Sequence, residues 1–283
     1  MGLIRLVPLG DIHLGSTVSV SPTKFRLPDG GTYLPSPMQE VINKLWKTKL
    51  DRVFADDTPV VLVLNGDLVE GGRPGQPECW APRMKDQMDA AIQVLKPYTD
   101  KALQTYVVRG TPFHVQGLGN VEDAIAEKLG AVDAISHKRV RLHIHNTRFE
   151  FVHKGPKFGN RIWTWGNQVR SQVLTNIMRD TFMGRETVDV YGYSHYHRCV
   201  DSGLVVVDIP GGRQLSGRGF ILPSWKLIDE WTNHTDAPLA DIGLVYFDVD
   251  ESGYKIIKDY ESFDPTDEYV VESKVKNGRS KRK

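Results

Sequence analysis

Apolar positions in the first part of the chain fall into two kinds of run. One kind is nearly uninterrupted: "LIRLVPLGD" (residues 3–11), "PVVLVLNGD" (residues 59–67) and the shorter "QTYVVRG" (residues 104–110). A strand covered on both faces needs apolar side chains on both, so these runs predict buried strands. Pro8 has no N–H to give to a ladder and predicts an irregular or edge-like end to the first of them. The other kind repeats at helical spacing. Met38, Val41, Ile42, Leu45, Trp46, Leu50, Val53 and Phe54 mark a helix over 36–55, with Ser36 as its N-cap and Pro37 in its first turn. Met84, Met88, Ala91, Ile92 and Leu95 mark the core face of a second helix, and Asn120 with Asp123 opens a third in the manner of a capping box.

Further along, the pattern turns to alternation. "RVRLHIHNTRFEFVHKG" (residues 139–155) alternates on both sides of His145-Asn146, which predicts a hairpin. A helix over 166–183 is followed by a strand over 188–192. "LVVVDIP" (204–210) and a hairpin over 242–262, turning at Glu251-Ser252-Gly253, complete the set. Helices crowd the first half and antiparallel strands the second. The simplest architecture is a fold of the α/β (α+β) class, a β-sandwich of two sheets flanked by helices. No compositional break calls for a second domain, so residues 1–270 are read as one unit. The Gly/Pro-rich stretch from Ser16 to Pro35 is long enough to suggest a lid or binding loop.

Composition narrows the partners. A net charge of +1 over 283 residues gives no global basic field, so attraction to nucleic acid would have to be local. The segment "SKVKNGRSKRK" supplies six Lys or Arg and no acid, and 271–283 is read as a flexible basic tail able to contact phosphates. Two cysteines, Cys79 and Cys199, build no disulfide framework, and no apolar run reaches the roughly 18 residues of a membrane span. The N-terminus lacks the pattern of a signal peptide. These features point to the cytoplasm and to no membrane partner.

Candidate chemistry collects at the ends of the strands. "LGDIHLG" places Asp11 and His13 after the first strand, and "NGDLVEGG" places Asn65, Asp67 and Glu70 after the second. "VRGTPFH" places Thr111 and His114 after the third, "FVHKG" ends the hairpin on His153, and "GYSHYH" places His195 and His197 after the next strand. Loops at the carboxyl ends of strands converge on one crevice. Carboxylates and imidazoles together suit divalent Mn, Fe, Zn or Ni.

This series resembles the calcineurin-like metallophosphoesterase superfamily, whose pattern is Asp-X-His, Gly-Asp, Gly-Asn-His-Asp/Glu, a lone His and Gly-His-X-His. The likeness runs from residue 3 to about 250. It implies a four-layer αββα sandwich holding two divalent metal ions, Mn first among them, with Fe, Zn, Ni or Mg as alternatives. Asp11, His13 and His197 would bind one ion, His153 and His195 the other, and Asp67 would bridge them. The chain departs from the pattern at the third motif, where Thr111 stands in place of Asn and His114 comes two residues late. His114 is assigned the catalytic role of acid or phosphate contact, while Thr111, Asn65 and Glu70 either bind metal or orient a ligand. The fifth motif has Ser194 where Gly is usual.

The implied activity is a phosphoesterase that hydrolyses phosphodiester bonds through a two-metal-activated hydroxide. "GDLVEGG" lacks the Arg of protein phosphatases and looks more like the nuclease and nucleotide-phosphodiesterase branches, including DNA exonucleases and phage-encoded members. Nucleic acid or a nucleotide is the expected substrate, with Arg161, Arg213 and Arg218 as phosphate contacts and Trp163, Trp165 and Trp225 as stacking platforms. The alternatives are a phosphomonoesterase or protein phosphatase, or a metal-binding module weakened in catalysis.

Overall fold

In the computed structural model, which describes residues 2–72, 78–114, 121–157, 161–209, 211–228 and 239–263, the two uninterrupted apolar runs lie side by side. Strand β1 (Ile4–Leu9) is followed by a short ribbon of β2 (Phe25–Arg26) and β3 (Thr32–Tyr33), helix α1 (Pro37–Val53) and β4 (Val60–Asn65). Helix α2 (Met84–Thr99), β5 (Gln104–Val108), α3 (Val121–Leu129) and β6 (Ser136–His137) come next. The hairpin of β7 (Val140–Ile144) and β8 (Thr147–Lys154) leads through α4 (Trp165–Phe182) to β9 (Val190–Ser194). Strands β10 (Val200–Ile209), β11 (Arg213–Ile221), β12 (Ala240–Asp250) and β13 (Gly253–Phe263) follow.

The first sheet has the order β13-β12-β1-β4-β5-β6, the second β10-β11-β9-β8-β7. In β1 and β4 alternate side chains serve different cores, which explains the unbroken runs. Leu6, Val61 and Val63, with Phe247 of β12, face the second sheet, against Phe149, Phe151 and Phe220, whereas Val7, Leu9, Leu62 and Leu64 face α1, α2 and α3. Val169, Val173 and Ile177 of α4 cover the outer face of the second sheet at Tyr191, Tyr193, Val205 and Ile221. The layers are therefore helix, sheet, sheet, helix. Truncating Phe149, buried between the sheets, would cost about 3–5 kcal/mol.

Local signals hold where they are strongest. Ser36 caps α1 in a full capping box with Gln39, and Pro37 is its first residue. Met84 and Met88 pack on the helix-side core. Pro8 sits where only the β4 side of β1 is paired, because the ladder with β12 spans Ile4 to Leu6. The expected cap at Asn120 lies outside the described residues, and Asp123 accepts from Ser136 N at 2.7 Å.

Four expectations need correction. The second sheet is mixed: α4 carries the chain back so that β9 runs parallel to both β8 and β11. Strand β11, "RQLSGRGFI", has no apolar run because α4 presses on it; a Cβ at Gly219 would come within 2.6 Å of Val173 and 2.7 Å of Val169. The 188–192 strand is displaced to Val190–Ser194, which brings His195 directly to its end. Finally, the 16–35 stretch is packed down over its first residues rather than open throughout. Ser16, Ser19 and Val20 are buried, Tyr33 stacks on Trp80 at 4.0 Å, and Ser19 Oγ donates to the His13 carbonyl at 2.8 Å. The 271–283 tail lies outside the described residues. Among the described residues no helix is long and apolar enough to cross a membrane.

Candidate metal centre

The carboxyl ends of β1, β4 and β5 are neighbours because these strands are parallel. The loops leaving them remain stitched together. Asp11 N donates to Gly66 O (3.2 Å), His13 N to Asp67 O (3.0 Å) and Leu14 N to Leu68 O (3.0 Å). The second sheet adds His153 near the end of β8 and His195 and His197 after β9. His195 N donates to Asp11 Oδ2 at 2.6 Å, which ties the two sheets' loops together. Gly66 has a positive φ of 81°, and a Cβ there would stand 2.5 Å from His153 Nδ1, so only glycine fits.

Two triads result. Asp11, His13 and His197 form one and Asp67, His153 and His195 the other, with the ligand atoms of each within 4.8 Å of one another. In the first, the Nε2 atoms of His13 and His197 face each other at 3.2 Å, and Asp11 Oδ1 lies 3.8 Å from both. In the second, Asp67 Oδ2 is 2.8 Å from His153 Nε2 and 3.9 Å from His195 Nδ1. Asp11 Oδ1 is also 3.8 Å from His153 Nε2, so the triads share an edge. Atoms bound to one ion by bonds of about 2.1 Å stand roughly 3–4 Å apart, and both triads match that spacing.

Two further features say that the donor set fits a divalent cation. Asp11 Oδ1 is buried with no hydrogen-bond partner, which protein interiors rarely tolerate. Asp11, His13, Asp67, His195 and His197 all have positive φ, between 50° and 81°. There the Cβ of an L-residue crowds a backbone carbonyl, at a cost of roughly 1–3 kcal/mol each. Strain gathered on so many groups of one cluster marks a site rather than a fold requirement.

The electrostatics pull positive charge inward. Burial alone would raise the Asp11 carboxyl, but His13, His197 and His153 outweigh it and hold it down at about 2. Asp67 is likewise held well below the usual range by His153 and His195 against its burial. Burial would lower His153, yet Asp67 and Asp11 push it up to about 10; His13 rises to about 9 against burial because of Asp11 and Glu70. His197 falls to about 3, through burial and the charge of His13.

The third-motif loop does enter the site. Thr111 N donates to Asp67 Oδ1 at 2.7 Å, and its Oγ1 lies 3.1 Å from the same atom. His114 Nδ1 lies 2.5 Å from the Glu70 carbonyl and therefore carries the proton, leaving Nε2 toward Asp67 Oδ2 at 3.7 Å. Burial and the charge of His13 lower His114 below its ordinary value. Asn65 O lies 2.7 Å from His153 Nδ1 and sets its tautomer, while Asn65 Nδ2 donates to Ser194 Oγ at 2.8 Å. Ser194 thus ties β9 to β4. Glu70 Oε2 stands 3.0 Å from His13 Nδ1.

The expected substrate contacts are not gathered there. Arg218 is paired in register with Val190, at the start of β9, whereas the histidines follow its last residue, Ser194. Four residues of strand put it about 13 Å away, and Arg213 further. Arg218 is also held by Asp201 at 2.8 and 2.6 Å. Arg213 lines a separate 400 Å³ cavity with Arg148 and Arg185. Arg161 is exposed ahead of α4. Trp225 is 0% exposed and packs on Trp46, and Trp165 is buried beneath Arg198, so neither offers a face to a base; Trp163 is exposed.

Two buried residues escaped the sequence reading. Glu122 accepts from Gly110 N at 2.7 Å and so fixes the loop that carries Thr111; burial pushes its carboxyl up to about 7. Lys226 donates to both oxygens of Glu70. Neither sits in a motif, and no periodicity singles them out.

Four layers, with two aspartate–histidine triads at converging strand ends, agree with the architecture that the resemblance implied. No protein-family model matches the chain, and no curated protein matches its sequence. Solved structures that resemble it include YfcE, a phosphoesterase from E. coli, at 16% identity and a TM-score of 0.37, with 87% of this chain and 88% of that one covered. A metallophosphoesterase from Sphaerobacter thermophilus follows at 10% identity and a TM-score of 0.35, covering 90% and 89%. Vacuolar Protein Sorting 29 from Cryptosporidium parvum has 12% identity and a TM-score of 0.35, covering 92% and 98%.

Proposed function

We propose that the protein is a divalent-metal-dependent phosphoesterase that cleaves phosphodiester bonds in nucleic acid or nucleotides. Asp11, His13 and His197 hold one ion, and His153 and His195 the other, with Asp67 between them. The observation that carries this reading is the 3.2 Å approach of two imidazole Nε2 atoms beside a buried, unpartnered carboxylate oxygen. Manganese is the ion we favour among those suited to mixed imidazole and carboxylate donors.

When bound, such ions polarise a phosphoryl group and make a nucleophile available at neutral pH. The chain's own part is orientation and proton handling. Asn65 O keeps His153 Nε2 turned toward Asp67, and Glu70 keeps His13 Nε2 turned toward His197. His114, held at Nδ1 by a carbonyl, exchanges a proton or contacts phosphate through Nε2. Among the described residues of the loop after Asp67, Leu68 to Gly72, none is a Lys or Arg that would meet a second phosphate charge, which favours a diester over a monoester. That loop sends Leu68 and Val69 into the core and Glu70 to His13. The basic segment 273–283 would add salt-dependent grip on a polyanion, and its removal is expected to weaken DNA binding mainly at low salt.

A metal-holding module without turnover has one feature in its favour: the Thr111 hydroxyl lies against Asp67 where an amide ligand is expected. The deciding experiment assays one Mn²⁺-loaded preparation, with its metal content measured, on bis-p-nitrophenyl phosphate, p-nitrophenyl phosphate and single- and double-stranded DNA. The diesterase reading expects faster cleavage of the diesters than of the monoester. Bound metal with no turnover on any of the four would favour the module.

A further inference from the structure

We propose that Lys226 is a positioning residue for the first triad, acting through Glu70 on the ring of His13. The inference rests on the two-ion reading above. Lys226 and Glu70 are only 3% and 2% exposed, and Lys226 Nζ lies 2.9 and 3.0 Å from the two carboxylate oxygens. Glu70 Oε2 in turn stands 3.0 Å from His13 Nδ1. With the Glu70 carboxylate at ion-pair distance from its Nδ1 edge, His13 presents Nε2 to His197 and Asp11. The Glu70 carbonyl meanwhile faces His114 Nδ1. One residue therefore aims two imidazoles, and one lysine holds that residue.

His13, Glu70 and His114 also lie close enough to form an ion site of their own. Lys226 argues against that use. Both oxygens of Glu70 are engaged by an ammonium group, and another cation would face that charge at close range in a dry interior. Left without Lys226, a buried Glu70 carboxylate would lose its partner and turn toward a bound ion, which would release His13. The backbone holds the lysine in place. Its segment bridges Ser19, Leu227 N donates to Val18 O at 2.9 Å, and Trp225 N donates to Asp11 O at 3.0 Å.

The test is calorimetric titration of Mn²⁺ into metal-stripped full-length protein, with the melting temperature recorded beside it. Lys226→Met is expected to weaken one of the two ions about 10–100-fold and leave the other unchanged. Glu70→Gln should weaken the same ion, and the double variant should lose little more than Glu70→Gln alone, because the lysine acts through the glutamate. Should the methionine variant fail to fold, Lys226→Gln, which keeps a donor of similar reach, is expected to weaken the same ion by a smaller factor. Wild-type affinity for both ions in whichever variant folds, even with a lowered melting temperature, overturns the proposal, as do losses that simply add in the double variant. A wild-type protein that binds no Mn²⁺ would instead sink the two-ion reading itself.

Discussion

The two ends of the second sheet treat charge in opposite ways. Where β8 and β9 end, five groups of the cluster sit on strained backbone and Asp11 Oδ1 has no hydrogen-bond partner. Where β9 begins, charges are matched within the chain: Arg218 grips Asp201 through two bonds, Lys258 joins them at 2.7 Å, and Arg148 meets Glu186 at 2.6 Å. Matched charges are a structural solution, whereas a buried carboxylate kept without a partner is held for something outside the chain. An arginine's presence in the sequence therefore says less about substrate than the company it keeps.

Substitutions at the two ends should separate sharply. Asp67→Ala removes the carboxylate beside His153, His195 and His114 and is expected to lower turnover by about 10³-fold or more. Near-normal turnover would break the comparison outright. His114→Ala should slow turnover by roughly 10²–10⁴-fold while metal content stays at the wild-type level. Loss of an ion in that variant would move His114 among the ligands. Thr111→Asn, which restores an amide oxygen, is expected to raise Mn²⁺ affinity at the second triad, measured by titration. At the far end, Arg218→Ala should leave turnover unchanged.

Acid sensitivity offers a smaller contrast. Burial would raise Asp201, but Arg218, Lys258 and the Gly203 N–H hold it down at about 2. Its folded value lies below the unfolded value of about 3.9, so its stabilising effect is present above that pH and is lost as pH falls toward 2. Asp201→Asn is expected to flatten the dependence of melting temperature on pH across that window. An unchanged slope would show that the pair contributes nothing measurable.

The sequence was most readable where one residue type has one physical use. Uninterrupted apolar runs became β1 and β4 because each must serve two cores, and Asp or His at four strand ends, those of β1, β4, β8 and β9, became the two triads. It was opaque where a residue's role depends on what crosses above it. Gly217 and Gly219 erase the apolar signature of β11 only because α4 lies on that strand. Trp225 looked like a stacking platform and is a core residue. Lys226 carries no local signal, since its partner Glu70 is 156 positions away. The positive φ values gathered on the cluster have no counterpart in composition or periodicity.

The central claim is that the two triads together hold a pair of ions. Electron paramagnetic resonance of the Mn²⁺-reconstituted protein, with the metal content of the same sample determined, tests it most directly. Two ions per chain with a spin-coupled spectrum are expected; one ion per chain with the six-line signal of isolated Mn²⁺, or no bound metal, would contradict it.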